Sequence, residues 1–371
     1  MNEFKFSVAG TEFTIQDLGN DLNKQFVQLH EHFLVKQPFN YSELDVAAQK
    51  YFASHPRDFA AHNAFFNNFT IIWRWLLKLG HYVAAEQVWE FAMAPAIAWE
   101  NTHPAQRLHK GTPYYFRGMT VILRGDLDRG FLLMHQALAE DMETFQEPLP
   151  DTPASAFATL DYQKQDQAFR HEVQDTAAFL NELLAKYRHT RRKSLTLHEF
   201  RNRFLSTTEL RDPIFLFVFA LFKLKTLLKK VTLGLRANDF AGLLESGLLF
   251  DICLVIDSAI HCKNPASWKF VDQLAYLSAA SLLSLNQARL SQLNNAFRLD
   301  FANTIDNLLD GTWRFRDGLT PSEAEVDVAL AYGIRNLSAH RVQSIPVMYD
   351  RFEDISQRTM NTLFLVVESL Y

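Results

Sequence analysis

"WLLKLGHYVAAEQVWEFAMA" (residues 75–94) and "VILRGDLDRGFLLMHQALAE" (residues 121–140) decide how the chain is read. With Gly80 set on Gly125, each shows an apolar helical stretch that stops at a glycine, a short turn, and a second helical stretch. Ala92 and Ala137 then each fall twelve positions after the glycine. Glycine permits the left-handed backbone of a tight turn, and a small residue lets paired helices approach closely. Two helix pairs spaced 45 residues apart predict a repeat-like, all-α N-terminal domain. A plain helical bundle is the alternative that the residues leave open.

The pattern resembles the tetratricopeptide repeat, with Gly118, Gly125 and Ala137 of the second unit at the usual offsets. The 45-residue spacing is longer than the usual repeat, and Trp73 and Arg117 depart from its consensus. The resemblance is to degenerate repeats with long helices, and it implies a surface for a protein partner or regulator.

Outward from these pairs, "EFKFSVAGTEFTI" alternates apolar and polar residues around Ala9 and Gly10, which predicts a short N-terminal β-hairpin. "QEPLPDTPAS" (146–155) holds three prolines and reads as an exposed loop. Helical stretches follow at about 163–187 and 195–205, with the basic "RHTRRKS" between them. The domains are taken as 1–195, helical repeats with the hairpin, and 196–371, a helical bundle. Helices are expected at 213–232, 238–262, 267–285 and 291–309. "TPSE" (320–323) reads as a helix start, with Thr320 as N-cap, Pro321 in the first turn and Glu323 closing a capping box. That helix places Val326, Leu330, Gly333 and Leu337 on one apolar stripe. Pro346 disfavours helix at Ile345, and a last apolar-faced helix follows.

The composition is that of a globular protein, 48% hydrophobic and 21% charged, with few glycines and prolines for 371 residues. The 32 phenylalanines read as core filling between helices. A net charge of -5 argues against nonspecific coating of nucleic acid. The charge is uneven, however: residues 186–236 hold thirteen Lys or Arg against Glu199, Glu209 and Asp212, a local +10. Arg191, Arg192 and Lys193 are the expected RNA-phosphate contacts in that stretch, and a solvated basic linker is the alternative. Cys253 and Cys262 form no metal-ligand pattern, so neither a metal nor a cofactor is expected. The N-terminus carries no apolar signal core, and the longest apolar run, "PIFLFVFALF", is half a membrane span. A cytoplasmic location without membrane contact is expected.

The chemistry concentrates in "AYGIRNLSAHRV" (331–342), where Arg335 precedes His340 by five positions and Asn336 follows the arginine. Spacing alone is weak, because Arg57–His62, Arg74–His81, Arg129–His135 and Arg192–His198 show similar intervals. Context selects Arg335 and His340: a polar residue directly follows the arginine, and the motif ends a well-capped helix within the bundle. "RDFAAH" (57–62) is the nearest rival. Histidine titrates near neutral pH and serves as general base or acid. Arginine holds phosphate oxygens with a planar fork and stabilises their developing charge.

"IRNLSAH" resembles the motif of HEPN-domain ribonucleases, whose active members carry Arg, a polar residue and His. The resemblance covers residues from about 208 to 371, less than half of the chain. It implies a metal-independent endoribonuclease with Arg335, Asn336 and His340 as catalytic residues, RNA as substrate, and a role as a toxin or in phage defence. Some family members paired with nucleotidyltransferases carry a tyrosine two positions after the histidine. Val342 stands there in this chain, so modification at that position is not implied.

On a regular helix Arg335 and His340 point about 140° apart. Either the helix unwinds within the motif or two copies meet across a two-fold axis, and the family resemblance implies a homodimer. Two alternatives remain: a non-catalytic HEPN nucleotide- or nucleic-acid-binding module, and a helical-repeat scaffold for protein interactions.

Overall fold

In the computed structural model, residues 2–232, 239–338 and 346–371 are described. β1 (Glu3–Val8) pairs antiparallel with β2 (Thr11–Gln16), with Phe4 opposite Ile15 and Phe6 opposite Phe13. Ala9 and Gly10 both take positive φ, 51° and 77°, as a two-residue hairpin turn requires. The expected hairpin is therefore present, and every other regular element among the described residues is helical.

The chain divides into two compact units. One comprises Met1–Phe157 with Tyr162–His171, and the other Ala158–Asp161 with Glu172–Tyr371. The first contains α1 (Asn20–Val35), α2 (Tyr41–Ser54), α3 (Phe59–Lys78), α4 (Tyr82–Thr102), α5 (Gly111–Leu123), α6 (Leu127–Phe145) and most of the short α7 (Pro153–Ala158). Gly80 and Gly125 end α3 and α5 with φ of 73° and 91°. In each case the glycine N–H bonds three residues back and the next N–H five back: Gly80 to Leu77 and His81 to Leu76, Gly125 to Ile122 and Asp126 to Val121. This paired closure satisfies carbonyls that a helix end would otherwise leave bare. Ala92 and Ala137 are both fully buried, and α3 packs on α4 as α5 packs on α6. The two helix pairs read from the sequence thus share one turn chemistry.

Phenylalanines fill this unit's core. Phe26, Phe52, Phe65, Phe66 and Phe69 are all solvent-free. The stretch read as an exposed loop at 146–155 is corrected in its second half. Pro150, Ala154 and Ser155 are buried, and Pro153 opens α7.

The division between units falls inside α8 (Gln167–Arg191). The basic stretch is therefore helical for most of its length, and the helix ends where Arg192 takes φ 53°. α9 (Leu197–Phe200) continues into a π-helical turn over Arg201–Leu205. There follow α10 (Arg211–Thr232), α11 (Asp239–Lys263), α12 (Phe270–Ala280), α13 (Gln287–Leu299), α14 (Phe301–Leu309), α15 (Glu323–Ser338), α16 (Pro346–Asp350) and α17 (Phe352–Leu370).

Three expectations are corrected here. The single helix at 291–309 is two, because Asp300 adopts an extended backbone and its side chain caps α14 by accepting from Asn303 N. The capping box at 320–323 lies two residues later. Ser322 Oγ accepts from Glu325 N, while Glu325 Oε2 accepts from Ser322 N at 2.7 Å. Finally, α15 has no single apolar stripe, since residues 325–334 are buried on every side. A helix buried all round belongs to the interior of its unit, and α15 packs against both α11 and α17. Among the described residues no helix is long and apolar enough to cross a membrane.

Candidate functional site

The last turns of α15 carry the motif out of that core. Burial ends abruptly: Ile334 is solvent-free, while Arg335 and Asn336 are half-buried. Gly333 lets the helix pass close to α13, because a Cβ there would lie 2.5 Å from the Phe297 ring. Arg335 Nη2 lies 3.4 Å from Asp257 Oδ2 on α11, and its guanidinium sits 5.4 Å from the Phe270 ring centroid. Its Nε is buried without a hydrogen bond. Burial pushes the Asp257 carboxyl above its ordinary range, and the Arg335 charge opposes that rise. Asp257 is thus the carboxylate neighbour of the motif's arginine.

Asn336 faces elsewhere, donating from Nδ2 to Asn294 Oδ1 on α13 at 3.3 Å. Consecutive residues diverge by about 100° on a helix, so the arginine and the amide serve different neighbours. His340 lies outside the described residues.

Sequence reasoning missed a histidine near Asp257 and the tryptophan that stacks on it. His261 lies one turn beyond Asp257 on α11, and Trp268 stacks on it with centroids 3.6 Å apart. Trp268 is 80% exposed. Its signal was a tryptophan within the polar loop "KNPASWK" (263–269), where core packing does not account for it.

The three basic residues expected at an RNA surface divide among themselves. Arg191 turns inward and grips Asp327 through Nε–Oδ2 at 2.6 Å and Nη2–Oδ1 at 2.8 Å, with Arg358 on the same carboxylate. Lys193 Nζ lies 3.0 Å from Glu368 Oε2. Arg192 is exposed. In the rival motif, His62 is buried and its Nε2 lies 2.9 Å from the His55 carbonyl oxygen, while Asp58 caps α3. Those are structural employments.

A second buried polar group, in the first unit, carried no recognised signal. His109 meets Asp141 in a cavity wall at the start of α5. The clue was "HKGTP" (109–113), a histidine and a lysine directly before a helix-opening Gly-Thr-Pro.

No family model, no curated protein and no solved structure matches this chain.

Proposed function

We propose that the chain is a metal-independent endoribonuclease of HEPN type, acting at the exit of α15. The observation that supports this most is Arg335 itself, a half-buried guanidinium steadied by Asp257 where the buried helix α15 emerges. In this reading Arg335 binds the scissile phosphate and stabilises its developing negative charge. His340 takes the proton of the ribose 2′-hydroxyl, whose oxygen attacks phosphorus. The P–O5′ bond breaks, the leaving oxygen acquires a proton, and the products are a 2′,3′-cyclic phosphate and a 5′-hydroxyl. Asn336 orients the histidine or a phosphate oxygen. Trp268 offers a stacking face to an unpaired base. A homodimer would supply two histidines, one as base and one as acid. A role in phage defence or as a toxin, with the helix pairs of the first unit receiving a regulator, completes the proposal.

The test is RNA cleavage by purified chain in EDTA, compared with Arg335→Ala and His340→Ala. Activity with cyclic-phosphate ends, lost in both variants at unchanged melting temperature, is the expected outcome. RNA binding without cleavage would favour the non-catalytic module. Activity that chelation removes and magnesium restores would contradict the proposal.

A further inference from the structure

His109 and Asp141 are 8% and 4% exposed, and His109 Nε2–H donates to Asp141 Oδ1 at 2.7 Å. Beside them Lys110, 4% exposed, reaches Glu100 Oε1 at 2.5 Å and Glu140 Oε2 at 3.5 Å. Helix packing alone has no use for so many buried ionisable groups, each of which must be desolvated. Local backbone also conforms to the pair. A Cβ on Gly111 would overlap Asp141 Oδ1 and lie 2.6 Å from His109 Nε2, so the position excludes every side chain while the pair stands.

His109 and Asp141 form part of the wall of a cavity of about 270 Å³, enclosed elsewhere by Phe59, Phe116 and Phe145. Two polar atoms of the pair lack partners. His109 Nδ1 is buried with no hydrogen bond. Asp141 Oδ2 receives none from any described residue, since the carboxylate's one bond goes to Oδ1. Asp141 Oδ2 is not sealed from solvent as His109 Nδ1 is; a carboxylate oxygen accepts only, so this one is open to a donor from water or a ligand.

The rest of the wall narrows the ligand. No lysine or arginine lines the cavity among the described residues. Asp151 on its rim is paired with Lys164, which leaves Asp141 as the carboxylate on the wall without a lysine or arginine partner, so an anion is disfavoured. Phenylalanine faces attract cations. A purely apolar ligand would leave Asp141 Oδ2 unmatched. We propose that this cavity binds a small organic cation with N–H donors, a protonated amine or guanidine, which donates to Asp141 while its charged head rests against Phe59 and Phe145. His109 is a positioning residue that holds Asp141 through its Nε2–H. The site lies wholly within the first unit and stands independently of the ribonuclease reading.

Calorimetric titration of the full chain with agmatine, against 1,4-butanediol and succinate as neutral and anionic controls, tests this. Agmatine should bind saturably with one site per chain, and neither control should bind. Asp141→Asn should weaken agmatine by about tenfold or more, as loss of a charge-assisted hydrogen bond does. Phe145 is 41% exposed, so Phe145→Ala leaves the core intact and should weaken binding several-fold. It decides the matter should Asp141→Asn fail to fold. Absence of agmatine binding at millimolar concentration, equal affinity in the variants, or succinate binding as tightly would overturn the proposal.

Discussion

Arg335 Nη2 stands 3.4 Å from Asp257 Oδ2, tying the end of α15 to the C-terminal part of α11. Asp257 is placed to aim the guanidinium rather than to touch a substrate. On the proposed ribonuclease reading, Asp257→Asn should therefore lower kcat for RNA cleavage by about ten- to a hundredfold, the cost of a small misplacement. KM should stay within a few-fold, and Asp257→Glu should recover part of the loss. Wild-type kcat in Asp257→Asn would remove this carboxylate from the site.

Arg191 and Arg192 are neighbours with opposite employment. Arg191 and Asp327 are both almost fully buried and joined by two parallel hydrogen bonds. Arg191→Ala leaves that carboxylate with Arg358 alone and should destabilise the chain by about 3 kcal/mol. Denaturant titration reads this directly. Arg192→Ala should leave stability unchanged and, if RNA phosphate lies against it, reduce the salt slope of RNA binding by about one. A stability loss at Arg192 equal to that at Arg191 would contradict the division.

His30 gives the first unit a pH dependence. Its ring is solvent-free between Phe6 and Phe13, Nδ1–H donates to the Phe26 carbonyl at 2.7 Å, and Nε2 is buried without a partner. Burial pushes its pKa down to about 4 from an ordinary 6.5. The native state thus binds fewer protons than the unfolded chain across that window. The stabilisation is fully present above the ordinary value and is lost as pH falls through the folded one. The loss amounts to about 3 kcal/mol. Subtracting the pH profile of His30→Phe from that of wild type should expose this contribution. Parallel profiles would show that His30 is not held neutral.

What the sequence shows and hides follows from distance along the chain. The hairpin and the two helix pairs depend on alternation and on Gly80 and Gly125, all local, and each is found where expected. The break at Asp300 escaped because apolar periodicity runs across it, while a single capping side chain decides it. The capping box was misplaced because Thr320 and Ser322 both head acceptable patterns, and only Ser322 finds its glutamate reciprocally bonded. At the motif, Arg335 and Asn336 were legible as a pair, but Asp257 lies 78 residues away, and the stacking of Trp268 on His261 is a matter of packing. His109 and Asp141, 32 residues apart, meet only because α5 and α6 lie together.

The last prediction concerns the separation of those two helices. A Cβ on Gly118 would lie 3.1 Å from both Gly130 O and Met134 N, and one on Gly130 would lie 3.0 Å from Ile122 N. At Gly130 the Ile122 side chain also stands in the way, but the backbone atoms on both sides cannot turn aside as a flexible side chain does. Alanine at either position must push α5 and α6 apart and should destabilise by about 1–3 kcal/mol, the usual cost of overpacking. Gly247, on α11, is the contrast: it is exposed, and nothing lies within 4 Å of a Cβ built there. Gly247→Ala only removes unfolded-state freedom and should stabilise by about 0.5–1 kcal/mol. Urea titration of the three variants reads opposite signs if the helices touch through glycine. Stabilisation at all three would show that α5 and α6 have room for a methyl group between them.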